Sequence, residues 1–277
     1  MPELPEVETI VRQLRRQIVG RKIVQVEVKK SRPTQNLTAV NIARGLKGAR
    51  IKDVERKGKM IVIELNNGFF LIVHLKLTGQ LIHTKSREEA IKQKYVYAIF
   101  TFADQSYLYY NDLRQFGYLK LIPRSRVNSF FQEMKLGPEA LSSKMTFSFF
   151  DGLLSLRSNK KIKPLLMDQQ FIAGIGNIYA NEICYCAKVR PDHLVRSLSI
   201  FQKRKIYNCL RKILQSAIIK RGTTSENYLD AYGRKGDYSR FLKVYGRTGE
   251  KCPRCKGKIQ HVQLAGRGTF YCPHCQK

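Results

Sequence analysis

Acidic residues are scarce in this 277-residue chain: 21 Asp and Glu stand against 51 Lys and Arg, a formal charge of +30. A chain so charged repels cationic partners and attracts polyanions. Long apolar runs are also missing. The run Phe69 to Val73 stops at His74, far short of the roughly 20 residues a membrane-crossing helix needs. The start of the chain is acidic where an export signal is basic, so no membrane association and a cytoplasmic location are expected. No internal repeat or low-complexity segment is present, which sets repeat architectures aside.

What is there reads as globular, with 43% hydrophobic residues and enough chain for about two domains with a real core. The positive excess makes nucleic acid the leading partner, ahead of an anionic membrane surface. Of seven cysteines, four form two C-x-x-C pairs, Cys252/Cys255 and Cys272/Cys275. Each pair can offer two thiolates from a tight turn, and four thiolates close a tetrahedral site, so one structural zinc ion is expected. His274 lies inside the second pair and is superfluous as a ligand. Cys184, Cys186 and Cys209 are expected as reduced thiols packed in helices.

The first eight residues, Met1-Pro2-Glu3-Leu4-Pro5-Glu6-Val7-Glu8, place a proline where loss of the initiator methionine exposes its nitrogen. A terminal proline is a secondary amine that can add to a carbonyl-like carbon and form an iminium. Glu3 and Glu6 would sit close to that amine, although acidic residues there also complement a helix dipole. Val7, Ile10, Val11, Leu14 and Ile18 form one stripe at helical spacing, with Pro5 in the first turn and Gly20 closing the run.

From Ile23 to about Ile122 the pattern is of short strands. Met60 to Leu65 leads through Asn66-Asn67-Gly68 into Phe69 to Leu77, and Tyr95 to Phe102 leads through Ala103 to Ser106 into Tyr107 to Tyr110. These are hairpins of a mainly antiparallel β-sandwich. After Gly137-Pro138 the period is helical. Ser199 with Gln202 makes a capping-box start, Ile206, Leu210, Ile213, Leu214 and Ala217 form a buried stripe, and Gly222 supplies a stop. Thr223 to Arg240 reads as a functional loop. Arg234 to Lys277 carries eleven Lys and Arg against Asp237 and Glu250, so the zinc unit is a basic hairpin.

Five blocks now stand in order: PELPEVET at Pro2 to Thr9, HLKLTG at His74 to Gly79, NDLRQFG at Asn111 to Gly117, AGIGNIYANE at Ala173 to Glu182, and YGRTGEKCPRC with GRGTFYCPHCQ at the finger. Together they resemble the bacterial formamidopyrimidine-DNA glycosylases, which excise oxidised purines such as 8-oxoguanine and then cut the strand. The resemblance runs end to end. It implies an α+β multidomain fold: an N-terminal catalytic β-sandwich flanked by a helix (1–130), a helical helix-two-turn-helix domain with a lesion-capping loop (131–240), and a zinc-finger hairpin (241–277).

The same resemblance implies roles. Pro2 is the nucleophile at C1′ of the damaged nucleotide, Glu3 the general acid and base, and Glu6 the supporting carboxylate. Lys59 matches a lysine near the cleaved phosphate, and Lys163 one implicated in handling 8-oxoguanine. His74, Asn177 and Arg267 correspond, with Lys59, to phosphate-binding positions, which locate the backbone without reading sequence. Leu77, Arg114 and Phe116 match the residues that fill the gap left by an extruded base. Leu77 departs from the family's usual methionine, Leu113 from its proline before the arginine, and Lys76 from a common glycine. Phe116 reads equally as a core residue. Thr223, Thr224 and Ser225 resemble the lesion-capping loop.

The implied enzyme is a monomeric glycosylase and AP lyase acting on double-stranded DNA with a damaged base, in the bacterial cytoplasm and at the nucleoid through its DNA. Two alternatives stay open. One is an endonuclease VIII-like glycosylase for oxidised pyrimidines, against which the PELPEVE start speaks. The other is a non-catalytic protein binding damaged DNA, for which Pro2 and Glu3 would be unnecessary.

Overall fold

A computed structural model describes residues 1–28, 39–224 and 226–277; the side chains of 39–41 and the expectation attached to Ser225 lie outside the described set. The chain packs as two units, Met1–Met134 with Lys220–Ser239, and Lys135–Ile219 with Arg240–Lys277. The loop after residue 220 therefore belongs to the N-terminal unit, and the zinc hairpin packs with the helices.

The first unit opens with helix α1 (Leu4–Ile18). Its apolar stripe faces inward: Leu4, Val7, Ile10, Leu14 and Ile18 are fully buried, and Gly20 follows the helix with φ +85°. Strands β1 (Ile23–Val28), β2 (Ile51–Lys57), β3 (Met60–Leu65), β4 (Phe69–His74), β5 (Gly79–Thr84), β6 (Val96–Phe102), β7 (Tyr107–Asp112) and β8 (Tyr118–Pro123) form two antiparallel sheets, β1-β6-β7-β5 and β2-β3-β4-β8. Short helices α2 (Ala39–Leu46) and α3 (Arg87–Lys92) interrupt the strands, and α4 (Arg124–Glu133) follows β8.

The antiparallel sandwich and both hairpins are as expected, with three strand ends moved: β6 starts at Val96, β7 runs on to Asp112, and β4 stops short. β4 ends at His74 because Lys76 takes a left-handed φ of +50°, which turns Leu75 to Leu77 out of the strand. The core joins α1 to both sheets through Val7, Leu14, Ile61, Leu71, Leu81 and Phe100. Truncating Leu14 to alanine should cost about 2–5 kcal/mol by chemical denaturation, the range for buried Leu→Ala. A loss under about 1 kcal/mol would show that α1 is not keyed into this core.

The second unit holds α5 (Phe147–Ser155), α6 (Ile162–Met167), α7 (Asn177–Ala187), α8 (Ile200–Ile219) and the hairpin of β9 (Gln260–Leu264) with β10 (Arg267–Tyr271). The capping box of α8 forms as expected: Ser199 N–H donates to Gln202 Oε1 (2.9 Å) and Gln202 N–H to Ser199 Oγ (3.2 Å). α8 ends at Ile219, and Arg221 precedes Gly222 in the left-handed region with φ +59°.

Of the three spare cysteines, Cys184 is as expected and the other two differ. Cys186 of α7 and Cys209 of α8 form a disulfide, their Cα atoms 5.8 Å apart, within bridging range. Redox compartment governs only average cysteine usage, whereas this pairing follows from α7 and α8 packing side by side. Cys184 remains a buried free thiol, and burial pushes its pKa up to about 12.

Candidate active site and nucleic-acid interface

Pro2 and Glu3 lead directly into α1 and are buried, as is Glu6. The three are positioned by a capping box. Glu3 N–H donates to Glu6 Oε2 (2.8 Å), and the Glu3 carboxylate accepts from the backbone of Glu6. This satisfies two of the donors that a helix start leaves open. The other Glu6 oxygen accepts from Thr223 N–H (2.7 Å). A single carboxylate thus fixes both the end that carries Pro2 and the start of the loop after residue 220.

Gly222 makes that approach possible. It has φ +77°, and a Cβ there would stand 2.7 Å from Glu6 Oε1, so no other residue fits without displacing the carboxylate. Pro2 lines a small pocket with Met1, Leu77, Thr223, Glu226, Asn227 and Tyr228. Met1 is 41% exposed, so the residue whose removal would free the Pro2 nitrogen stands at the mouth of that pocket.

His74 closes β4 opposite Met60 of β3, one residue from Lys59, which is 7% exposed. His74 Nδ1 accepts from Lys76 N–H (3.0 Å). Burial, with Lys76 and Lys59 nearby, lowers its pKa to about 3. The imidazole is therefore neutral near pH 7, with its proton on Nε2, and Nε2 is a donor suited to a phosphate oxygen. Because the folded pKa is depressed, the stability this site confers is full above the unfolded value of about 6.5 and is lost as pH falls toward 3. An NMR titration should show no His74 midpoint above about pH 5; a midpoint near 6.5 would mean an exposed, unpaired ring.

Leu113, Arg114 and Phe116 project from the loop between β7 and β8. Phe116 is 54% exposed and Leu113 45%, which removes the core reading of Phe116. The Arg114 guanidinium stacks 4.8 Å from the Phe116 ring centroid. Asp112, fully buried, holds this loop from behind. It accepts from Thr78 Oγ1, from Gly117 N–H (2.8 Å) and from Tyr110 Oη (3.2 Å). Thr78 in turn accepts from Arg114 N–H (2.9 Å). Burial and the Asp112 carboxylate push the Tyr110 phenol well above its usual range and keep it a donor. Asp112 and Thr78 sit within the sequence blocks named above, but their pairing spans 34 residues and no local pattern announces it.

In the second unit the hairpin is tied to the start of α7. Asn177 Nδ2 donates to Gly268 O (3.1 Å), and Phe270 N–H to Asn181 Oδ1 (2.8 Å). Lys163 is fully buried and donates to Thr269 Oγ1 (2.7 Å) and Gly268 O (3.1 Å). It anchors the hairpin from below. Arg267 stands exposed beside the turn Ala265-Gly266, whose two φ angles of +50° and +69° make a two-residue hairpin loop.

Two further positioning residues were given no role by the sequence, although Glu182 ends the block Ala173 to Glu182. Gln169 shapes the turn before α7: its amide donates to Met167 O and Ile175 O and accepts from Gly174 N–H (2.9 Å). Glu182 accepts from the backbone N–H groups of Lys243, Val244 and Tyr245 at 2.9 to 3.0 Å, fixing the segment that leads into the zinc hairpin.

The four sulfurs of Cys252, Cys255, Cys272 and Cys275 lie within 4.8 Å of one another. Cys252–Cys275 and Cys255–Cys272 are 3.8 and 3.4 Å apart, near the edge of about 3.8 Å of a tetrahedron with zinc–sulfur bonds of about 2.3 Å. Arg254 N–H and Tyr185 Oη stand 3.4 and 3.3 Å from Cys252 Sγ, the outer partners a charged thiolate requires. The set fits a structural zinc ion with no open position.

Comparison with known proteins gives the same order of parts. Residues 1–119 match the formamidopyrimidine-DNA glycosylase N-terminal domain, 136–228 its H2TH domain, and 249–277 the zinc finger found in FPG and IleRS. The chain is 41% identical to the formamidopyrimidine-DNA glycosylase of Heliobacterium modesticaldum over 278 residues, all of both chains. Two solved structures of the Lactococcus lactis Fpg protein are 36% identical and covered fully on both sides. One, a variant bound to Fapy-dG containing DNA, superposes with a TM-score of 0.91. The other, the wild type with an oxidised pyrimidine containing DNA, superposes with a TM-score of 0.90.

Proposed function

Because this chain belongs to the formamidopyrimidine-DNA glycosylase family, we propose that it excises oxidised purines, 8-oxoguanine and formamidopyrimidines, through the nitrogen of Pro2. It is a DNA glycosylase of base excision repair with AP-lyase activity, it works on damaged double-stranded DNA, and it carries one structural zinc ion. The observation that carries the mechanistic reading is the capping box. It holds Glu3 and Glu6 at the residue whose amine is freed by loss of Met1.

Once Met1 is gone, the Pro2 nitrogen attacks C1′ of the damaged nucleotide. The bond to the base breaks, and the base leaves with a proton delivered by a general acid, Glu3; the C1′–O4′ bond then breaks, the proton given up by the Pro2 nitrogen passes through the Glu3 carboxylate to O4′, and C1′ is left as the iminium. Proton removal from C2′ then expels the 3′ phosphate, and a second elimination expels the 5′ phosphate. Lys59 and neutral His74 hold phosphate oxygens, and in the second unit Asn177 and exposed Arg267 do the same. Leu77, Arg114 and Phe116 fill the gap left by the extruded base. That role agrees with the exposure of Phe116 and with the position of Leu77 beside Pro2.

Lys163 acts at one remove, by holding the hairpin that presents Arg267. Thr223 and Thr224 belong to the loop over the Pro2 pocket. Functionally the chain divides as 1–130 for chemistry, 131–240 for the helical domain and loop, and 241–277 for the zinc hairpin. It works as a monomer in the cytoplasm, at the nucleoid through its DNA; among the described residues no helix is long and apolar enough to cross a membrane.

A second reading, oxidised pyrimidines, is favoured by the relative solved with such a lesion. Competition between 8-oxoguanine and thymine glycol duplexes separates them. Preferential release of 8-oxoguanine supports the purine reading, and preferential release of thymine glycol overturns it.

A further inference from the structure

The loop that walls the Pro2 pocket is fastened to α1 at two places. The first is Glu6, whose side chain accepts from Thr223 N–H (2.7 Å) and whose carbonyl accepts from Tyr228 Oη (3.5 Å). The second lies two helical turns along, where a residue seven positions on returns to the same face. There Gln13 uses both ends of its amide: Nε2 donates to Asp230 Oδ2 (2.9 Å), and Oε1 accepts from Ala231 N–H (2.8 Å).

Asp230 is fully buried. Its Oδ1 accepts from Tyr232 N–H (3.0 Å) and Arg234 N–H (2.9 Å), closing a tight turn. Its Oδ2 faces Gln13, with the guanidinium groups of Arg221 and Arg234 3.7 and 3.6 Å away. The turn's Ala231 carbonyl also accepts from His83 N–H (3.0 Å). Between Thr223 and Asp230 lie Glu226, Asn227 and Tyr228, which face the pocket.

We propose that Gln13 and Asp230 form a clamp that sets the height of this loop over Pro2, and that the clamp governs selection of the damaged base. The proposal rests on the glycosylase reading above. α1 carries the nucleophile at its start and the clamp in its middle, so the helix fixes the spacing between nucleophile and wall. A base in the pocket must meet that wall, whereas an abasic sugar has nothing for it to meet. The clamp therefore bears on base excision and not on cleavage of a preformed abasic site. Gln13 is a positioning residue, since it lines no part of the pocket.

The polarity of the pair makes a test. Gln13→Glu places an acceptor against Asp230 Oδ2, while Asp230→Asn places a donor against Gln13 Nε2; either substitution alone breaks the bond. Together they rebuild it with donor and acceptor exchanged. The net charge is kept, and the amide oxygen introduced by Asp230→Asn still accepts from Tyr232 and Arg234. Single-turnover cleavage is measured on a duplex with 8-oxoguanine opposite cytosine and on one with a preformed abasic site.

Each single variant should lose about tenfold or more in excision while abasic-site cleavage stays within about twofold, and the double variant should recover to within about threefold of wild type, as coupled partners do. Parallel loss of both steps would reduce the pair to general scaffolding and overturn the clamp. Unchanged excision, or no recovery in the double variant, would overturn it as well. No excision by the wild-type chain would instead overturn the underlying reading, and the clamp with it.

Discussion

Pro2→Gly is expected to slow 8-oxoguanine excision by about a hundredfold to ten-thousandfold, the span typical of losing a positioned reacting group, and to leave duplex affinity within about twofold. The two effects separate because the phosphate contacts proposed in the first unit lie at Lys59 and His74, at the ends of β3 and β4, and not on the Pro2 ring. Glycine keeps a terminal amine but loses the ring that fixes its direction above the capping box. Intact mass should first confirm loss of Met1, since with Met1 present the nitrogen is an amide. Equal loss of affinity and excision would show that Pro2 serves binding and would remove it as the nucleophile.

Cys255→Ser is expected to abolish zinc retention and, through it, high-affinity binding. The zinc site organises the base of the hairpin: Cys272 N–H donates to Gln276 Oε1 (2.8 Å), and Gln276 Nε2 to Val189 O (2.9 Å). Zinc binding to such sites is worth about 10–16 kcal/mol apparent free energy and is inseparable from local folding. Without it, the turn presenting Arg267 loses its fixed geometry, and duplex Kd should rise by about tenfold or more. The slope of log K against log salt should also become shallower, by about one unit for each phosphate that is no longer neutralised. The first unit should stay folded, because its core is separate. Unchanged zinc content by mass spectrometry in Cys255→Ser would refute the four-cysteine assignment.

Local patterns were legible where the physics is local. The stripe from Val7 to Ile18 marked α1, Ser199 and Gln202 marked the start of α8, and the paired C-x-x-C spacing marked a site whose four sulfurs do converge. The candidate catalytic cluster was also readable, since Pro2, Glu3 and Glu6 lie within one helical turn and their capping box needs no distant partner. Features that depend on chain segments meeting from afar were not. Glu6 to Thr223 and Gln13 to Asp230 each span 217 residues, and Lys163 to Thr269 spans 106. Nothing in the sequence near Lys163 distinguishes an anchor from a reacting amine. The disulfide of Cys186 and Cys209 was hidden for the same reason, because thiol pairing follows helix packing and not residue type. The packing of 220–239 with the first unit likewise follows from the Glu6 contact and not from the preceding helix.

The central claim is that the Pro2 nitrogen becomes covalently joined to the damaged nucleotide, and borohydride trapping tests it most directly. The methionine-processed protein is mixed with a duplex carrying 8-oxoguanine opposite cytosine and reduced, with Pro2→Gly alongside. A stable adduct whose peptide map places the sugar on Pro2, strongly diminished in the variant, is the predicted result. Tight binding with no adduct and no strand cleavage, or an adduct on a lysine side chain such as Lys59, would contradict it.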